Sequence, residues 1–98
     1  MAMKDQGKSG ATKVRWDESR MRSTYANVCN VASTREEVVL LFGNHQPSEA
    51  GQQEIPVQLT DRVIMSPYAA KRLLILLENV LRDYESRFGK LPDPRSPQ

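Results

Sequence analysis

Between Ile55 and Phe88 the hydrophobic period changes once, from two residues to 3.6, at a serine followed by a proline. Ile55, Val57, Leu59, Val63 and Met65 fall on every second position, the spacing of a half-buried strand. Thr60 and Asp61 interrupt that alternation and predict a bend or bulge. Ser66 stands where an N-cap belongs, and Pro67 takes the first helical position, where its missing N–H costs nothing. Nothing breaks a helix from Pro67 to Phe88, and Gly89 follows as a residue able to adopt the left-handed conformation that ends it.

On this helix Ala69, Ala70, Leu73, Leu74, Leu76, Leu77, Val80, Leu81, Tyr84 and Phe88 occupy an arc of roughly 160°. Ile75 lies nearly opposite the centre of the arc, beside Tyr68, Asn79 and Ser86. Two arrangements fit. Either the arc covers the chain's own sheet and Ile75 is a stray exposed residue, or part of the arc packs on another subunit. The second is preferred because so small a sheet cannot cover so wide an arc. The residues expected at that contact are Leu40, Leu73, Leu77, Leu81 and Tyr84.

The sheet has to come from residues 25 to 65. A first strand is predicted from Tyr25 to Ala32, followed by the polar turn Ser33-Thr34-Arg35-Glu36. A second strand from Glu37 to Phe42 is apolar at Val38, Val39, Leu40, Leu41 and Phe42, so both of its faces need cover. One face can take the chain's own helix; the other needs the N-terminal segment or a second copy. Gly43 to Glu54 is polar, with Gly43, Pro47 and Gly51, and reads as a long hairpin loop containing His45. The expected fold class is α+β, an antiparallel three-stranded meander followed by one long C-terminal helix, with sheet or helix completed by oligomerisation.

The ends differ from the middle. Residues 1–13 are rich in Gly, Ser and Lys without apolar periodicity, which predicts a disordered arm too polar for a signal peptide. Residues 90–98 contain Pro92, Pro94 and Pro97 and predict a flexible tail. A single domain over residues 14–89 remains, near the size at which oligomerisation supplies missing burial. Cys29 is the only cysteine, which excludes an intramolecular disulfide and points to a reducing, cytoplasmic setting. No apolar run approaches the ~20 residues of a membrane span.

Candidate chemistry is sparse. One histidine and one cysteine cannot form a metal-binding His/Cys cluster within a chain, and the five glycines are too scattered for a phosphate loop. Glu36 and Glu37 are adjacent at a strand start, where successive side chains diverge, so they share a proton poorly. Cys29 as a nucleophile lacks an obvious base. No enzyme activity, cofactor or metal is therefore expected. Charge is uneven: residues 1–24 hold six basic and three acidic side chains, whereas the remainder holds eight basic and nine acidic. Lys13, Arg15, Arg20 and Arg22 flank Trp16, a combination able to grip phosphates and stack on a base. Against that, Asp17 and Glu18 interrupt the run, and Trp16 can instead pack on the sheet. On the helix, Glu78 with Arg82 and Asp83 with Arg87 are spaced to pair.

Several blocks have a family likeness. Tyr25-Ala26-Asn27-Val28, the stretch from Glu36-Glu37-Val38 to Phe42-Gly43, and Leu59-Thr60-Asp61-Arg62-Val63 leading to Ser66-Pro67-Tyr68-Ala69-Ala70-Lys71 form the core of it. With Trp16-Asp17 and Met21-Arg22-Ser23 at the entry, they resemble small prokaryotic proteins of the DUF3467 family, a domain of unknown function. The resemblance spans roughly residues 14 to 89. It implies a strand-rich domain with a C-terminal helix and supplies no activity. The passage through Pro67-Tyr68-Ala69 into an apolar helix is similar to one element of SecB-type export chaperones, oligomers that bind unfolded chains on exposed apolar surface. This chain is shorter and lacks their full set of strands, so that likeness concerns fold alone. The function expected is a homo-oligomeric protein-binding module, adaptor or chaperone-like. The alternative is a small nucleic-acid-binding protein using Lys13, Arg15, Trp16, Arg20 and Arg22.

Overall fold

In the computed structural model, which describes residues 12–47, 50–51 and 53–95, three strands precede one helix. They are β1 (Val28–Ser33), β2 (Val38–His45), β3 (Val57–Met65) and α1 (Pro67–Phe88). The strands form one antiparallel sheet in the order β1-β2-β3, as the alternation and the single helical run require. The expected arm lies outside the described residues up to residue 11, and residues 96–98 of the expected tail do as well.

The turn between β1 and β2 works without the Asn-Gly pair of the tightest hairpins. Thr34 closes it, donating its N–H to the Glu37 carbonyl at 2.9 Å while its hydroxyl oxygen accepts from the Glu36 and Glu37 N–H groups. β1 starts at Val28 rather than Tyr25. Asn27 nevertheless continues the pairing, because its N–H donates to the Gly43 carbonyl at 3.0 Å and its side chain accepts from the His45 N–H at 3.1 Å.

β2 runs three residues beyond Phe42, so Gly43 and His45 belong to the strand and not to the loop expected there. The loop proper ends where Gln46 N–H meets the Pro56 carbonyl at 3.0 Å; Pro56 itself has no N–H to give the ladder. The interruption at Thr60-Asp61 is a bulge. Phe42 faces Asp61 and Gly43 faces Leu59, which leaves Thr60 without a partner. Gly43 is required at this point. A Cβ there would run into the Gln58 carbonyl oxygen and stand 2.9 Å from the Leu59 Cα.

The helix ends match expectation. The Ser66 hydroxyl accepts from the Ala69 N–H at 3.1 Å, Pro67 occupies the first turn, and Gly89 adopts φ 100° with its N–H on the Glu85 carbonyl. Asp83 and Arg87 pair at 3.4 Å, but Arg82 donates to Asn79 at 3.1 Å and not to Glu78. Past the helix, the Glu85 carboxylate accepts from the Leu91 N–H at 2.9 Å.

Of the two arrangements open to the helix arc, the less favoured one is not found. α1 has no extended contact with any strand, so the chain's own helix does not cover its sheet. Only Ser66 stands between β3 and α1, held extended at φ −69°, ψ 155°, and Pro67 fixes the next φ. Strand-to-helix connections that fold a helix back on its sheet use about 2–6 residues. This joint is too short and too stiff to reverse the chain. Strand and helix therefore follow one another, about 30 Å and about 33 Å long respectively, in a molecule whose long dimension is 61 Å. The radius of gyration is 17.6 Å, against about 13 Å for a compact chain of this length. Among the described residues no hydrophobic side chain is buried.

Candidate functional site

The pairing register sorts the sheet residues into two faces, because directly opposed residues share a face. One face carries three cross-strand rows: Cys29–Phe42–Asp61, Val31–Leu40–Val63 and Ser33–Val38–Met65. The other carries Asn30–Leu41–Arg62, Ala32–Val39–Ile64 and, beyond the bulge, Val28–Gly43–Leu59. The middle row of the first face is apolar across all three strands. On the second face the Leu41 row ends in Asn30 on one edge and Arg62 on the other. Among the described residues, no strand pairs with the outer edge of β1 or β3.

The helix adds a third apolar surface. Leu77, at the middle of the arc, is 48% exposed, and Leu74, Leu76, Val80 and Leu81 on its two flanks are as open. Leu73 and the two alanines of the first turns are partly covered. Tyr84 and Phe88 support each other with ring centroids 5.0 Å apart. The expected contact residues thus split into two groups. Leu73, Leu77, Leu81 and Tyr84 share one helix face, whereas half-buried Leu40 sits on the sheet and meets none of them within the chain. Sequence reasoning missed Val31, Val63, Leu59 and Ile64 as open surface, because period-two apolar residues are ordinarily covered from within.

The basic segment is laid out differently. Lys13, Arg15, Trp16, Arg20 and Arg22 lie on exposed backbone outside helix and strand, and Trp16 keeps 53% of its surface open. A small turn at Ser19-Arg20 interrupts it, with Met21 N–H on the Glu18 carbonyl at 3.1 Å and Ser19 N–H on the Asp17 carboxylate at 3.0 Å. Those hydrogen bonds, from the Ser19 backbone first and its hydroxyl second, hold the Asp17 carboxyl below its ordinary range. Asp17 therefore stays ionised and opposes the arginines around it.

Small-molecule chemistry has little footing. Open depressions among the described residues include one of about 230 Å³ lined by Thr24, Ala26, Phe42, Asp61 and Val63, and another of about 360 Å³ lined by Val28, Cys29, Asn30, Leu41, Val57 and Leu59. In the first the Asp61 carboxylate accepts from the Thr60 hydroxyl at 2.7 Å, and the second is bordered by the Cys29 thiol. Among the described residues no three His, Cys, Asp or Glu side chains gather as metal ligands, and no helix is long and apolar enough to cross a membrane. His45 ends β2 opposite Val57, away from any such group.

The DUF3467 family profile, described as a protein of unknown function, matches residues 1–93. The chain belongs to the DUF3467 family. No curated protein and no solved structure matches it. This DUF3467 protein is thus defined by its blocks of sequence and by the three-stranded sheet and C-terminal helix they form, and membership brings no activity with it.

Proposed function

We propose that this DUF3467 protein is a non-enzymatic, homo-oligomeric module that acts by binding another protein, in the manner of an adaptor or chaperone. The observation that carries this reading is the absence of a buried hydrophobic side chain among the described residues, with three apolar surfaces open at once. A single chain that buries so little apolar area cannot offset its conformational entropy, so its surfaces require partners. Self-association uses part of that surface, and what remains suits an unfolded or extended protein segment, as in the SecB-type chaperones whose strand-to-helix passage this chain resembles. The exposed free thiol of Cys29 fits a reducing, cytoplasmic setting.

The test is twofold. Light scattering should give a mass of at least a dimer at micromolar concentration, and the purified protein should slow the aggregation of a chemically denatured model substrate. Leu41→Asp, on the face with polar edges, should remove that protection while leaving the mass unchanged. A well-folded monomer of 11.1 kDa, or protection indifferent to Leu41→Asp, would reject the proposal.

A second reading has its own observation. Trp16 keeps 53% of its surface open, and three arginines share its segment. Arginines and an exposed indole of this kind can engage a phosphate backbone and a base. It ranks second because the rest of the chain is close to neutral and the arm contains ionised Asp17.

A further inference from the structure

Taking the homo-oligomeric reading as its starting point, we infer that α1 of each subunit lies across the sheet of a second copy, on the face of Val31, Leu40 and Val63, in a two-fold, reciprocal exchange. Five observations converge on this arrangement. Each chain carries both halves of a sheet-on-helix pair, an apolar sheet face and a wide apolar helix arc, and keeps them apart. The Ser66-Pro67 joint prevents the two from meeting within one chain, so the partner for each has to be another molecule.

Lengths agree as well. A helix of about 33 Å spans a sheet whose longest strand is about 30 Å. The choice of face follows from the register. Val31–Leu40–Val63 is the middle row without a polar edge, whereas Asn30 and Arg62 border Leu41 on the other side. A helix laid along the middle of the first face covers apolar side chains from β1 to β3, with Ser33 and Asp61 in the flanking rows at its margins; along the middle of the second it would lie over an amide and a guanidinium.

The exposed area is sufficient. The chain exposes 9676 Å², whereas a compact chain of its mass exposes about 5,700 Å². The N-terminal segment accounts for part of the excess. The sheet and helix contribute to it through Val31, Val63, Leu74, Leu77 and Leu81, each between 41% and 56% exposed, and a stable interface needs ~800 Å² per partner. Exchange is isologous: the helix of the first chain meets the sheet of the second as the helix of the second meets the sheet of the first, which closes the assembly at two subunits.

Native Cys29 provides the test, since it lies on the chosen face one row from Leu40 and is exposed. Isotope-labelled wild-type chains, whose only cysteine is Cys29, are unfolded and refolded with an equal amount of unlabelled Cys29→Ser/Leu77→Cys chains. The mixture is treated with a short bismaleimide and its linked peptides are weighed. A parallel mixture uses Cys29→Ser/Leu81→Cys, in case the Leu77 change prevents folding. A third replaces the labelled chain with Cys29→Ser/Ala32→Cys, which presents its thiol on the opposite face. The expected result is a labelled–unlabelled link between position 29 and position 77 or 81, at least tenfold above the link from position 32. A dimer by light scattering in which neither helix position links to position 29, or in which position 32 links better, overturns the exchange and leaves homo-oligomerisation standing. A monomeric protein overturns both.

Discussion

Replacing Leu77 by alanine separates a lone chain from an assembled one, because the two predict costs of different size. Within the chain Leu77 is 48% exposed and touches mainly its own helix. In a lone chain the substitution would forfeit only those contacts and would gain slightly in helix propensity, for a net change below about 1 kcal/mol. In an assembled chain the remaining half of the side chain is removed from water. Full burial of a leucine is worth about 1.5–3 kcal/mol, so that half contributes on the order of 1 kcal/mol, and a cavity in a packed interface brings the total to about 2–5 kcal/mol. The assay is urea denaturation followed by circular dichroism at several protein concentrations. A wild-type midpoint that rises with concentration, by about 1.4 kcal/mol for each tenfold, marks unfolding coupled to dissociation. Leu77→Ala should lower the midpoint at every concentration. A change below about 1 kcal/mol with midpoints that do not respond to dilution would refute the reasoning.

Three further outcomes follow from local geometry. Ser66→Ala removes the acceptor for the Ala69 N–H and should cost about 0.5–2 kcal/mol in the same melts, less than Leu77→Ala. Gly43→Ala forces a Cβ against the Gln58 carbonyl, backbone that cannot turn aside as a side chain would, and should cost about 1–3 kcal/mol or more, with amide chemical-shift changes centred on the bulge at Thr60. Fluorescence anisotropy should show little oligonucleotide binding near physiological salt; submicromolar, salt-sensitive binding that is abolished by Arg15→Ala with Arg20→Ala would promote the nucleic-acid reading.

The helix was legible to the residue, since Ser66, Pro67 and Gly89 each act through local backbone geometry that a sequence states directly. The bulge was legible for the same reason: Thr60 and Asp61 break a period of two. Gly43 was misplaced because a glycine beside Asn44 carries the composition of a loop. Its close approach to β3 depends on a strand encountered some fifteen residues later. Tyr25 was assigned to β1 and is not part of it, because Asn27 meets the end of β2 partly through its side chain. The separation of helix and sheet was legible only in part. The width of the arc showed that one small sheet could not cover it, but the one-residue joint that holds the arc off its own sheet is a matter of connection length, which apolar periodicity does not report.

That joint also bears on how a subunit is made. β1, β2 and β3 are consecutive hairpins, so the sheet can form from neighbouring segments while the chain is still being synthesised. The helix emerges after them, joined through Ser66 alone and held off the sheet already formed. If two chains exchange helices as inferred, maturation is second order. Its speed would then depend on how often two newborn chains meet, and until they did, each would expose two strand edges that no strand covers among the described residues, beside open apolar faces. Copies translated from one message in close succession would escape that interval soonest, and a cell that makes the protein sparsely would leave it most exposed to misassociation and proteolysis.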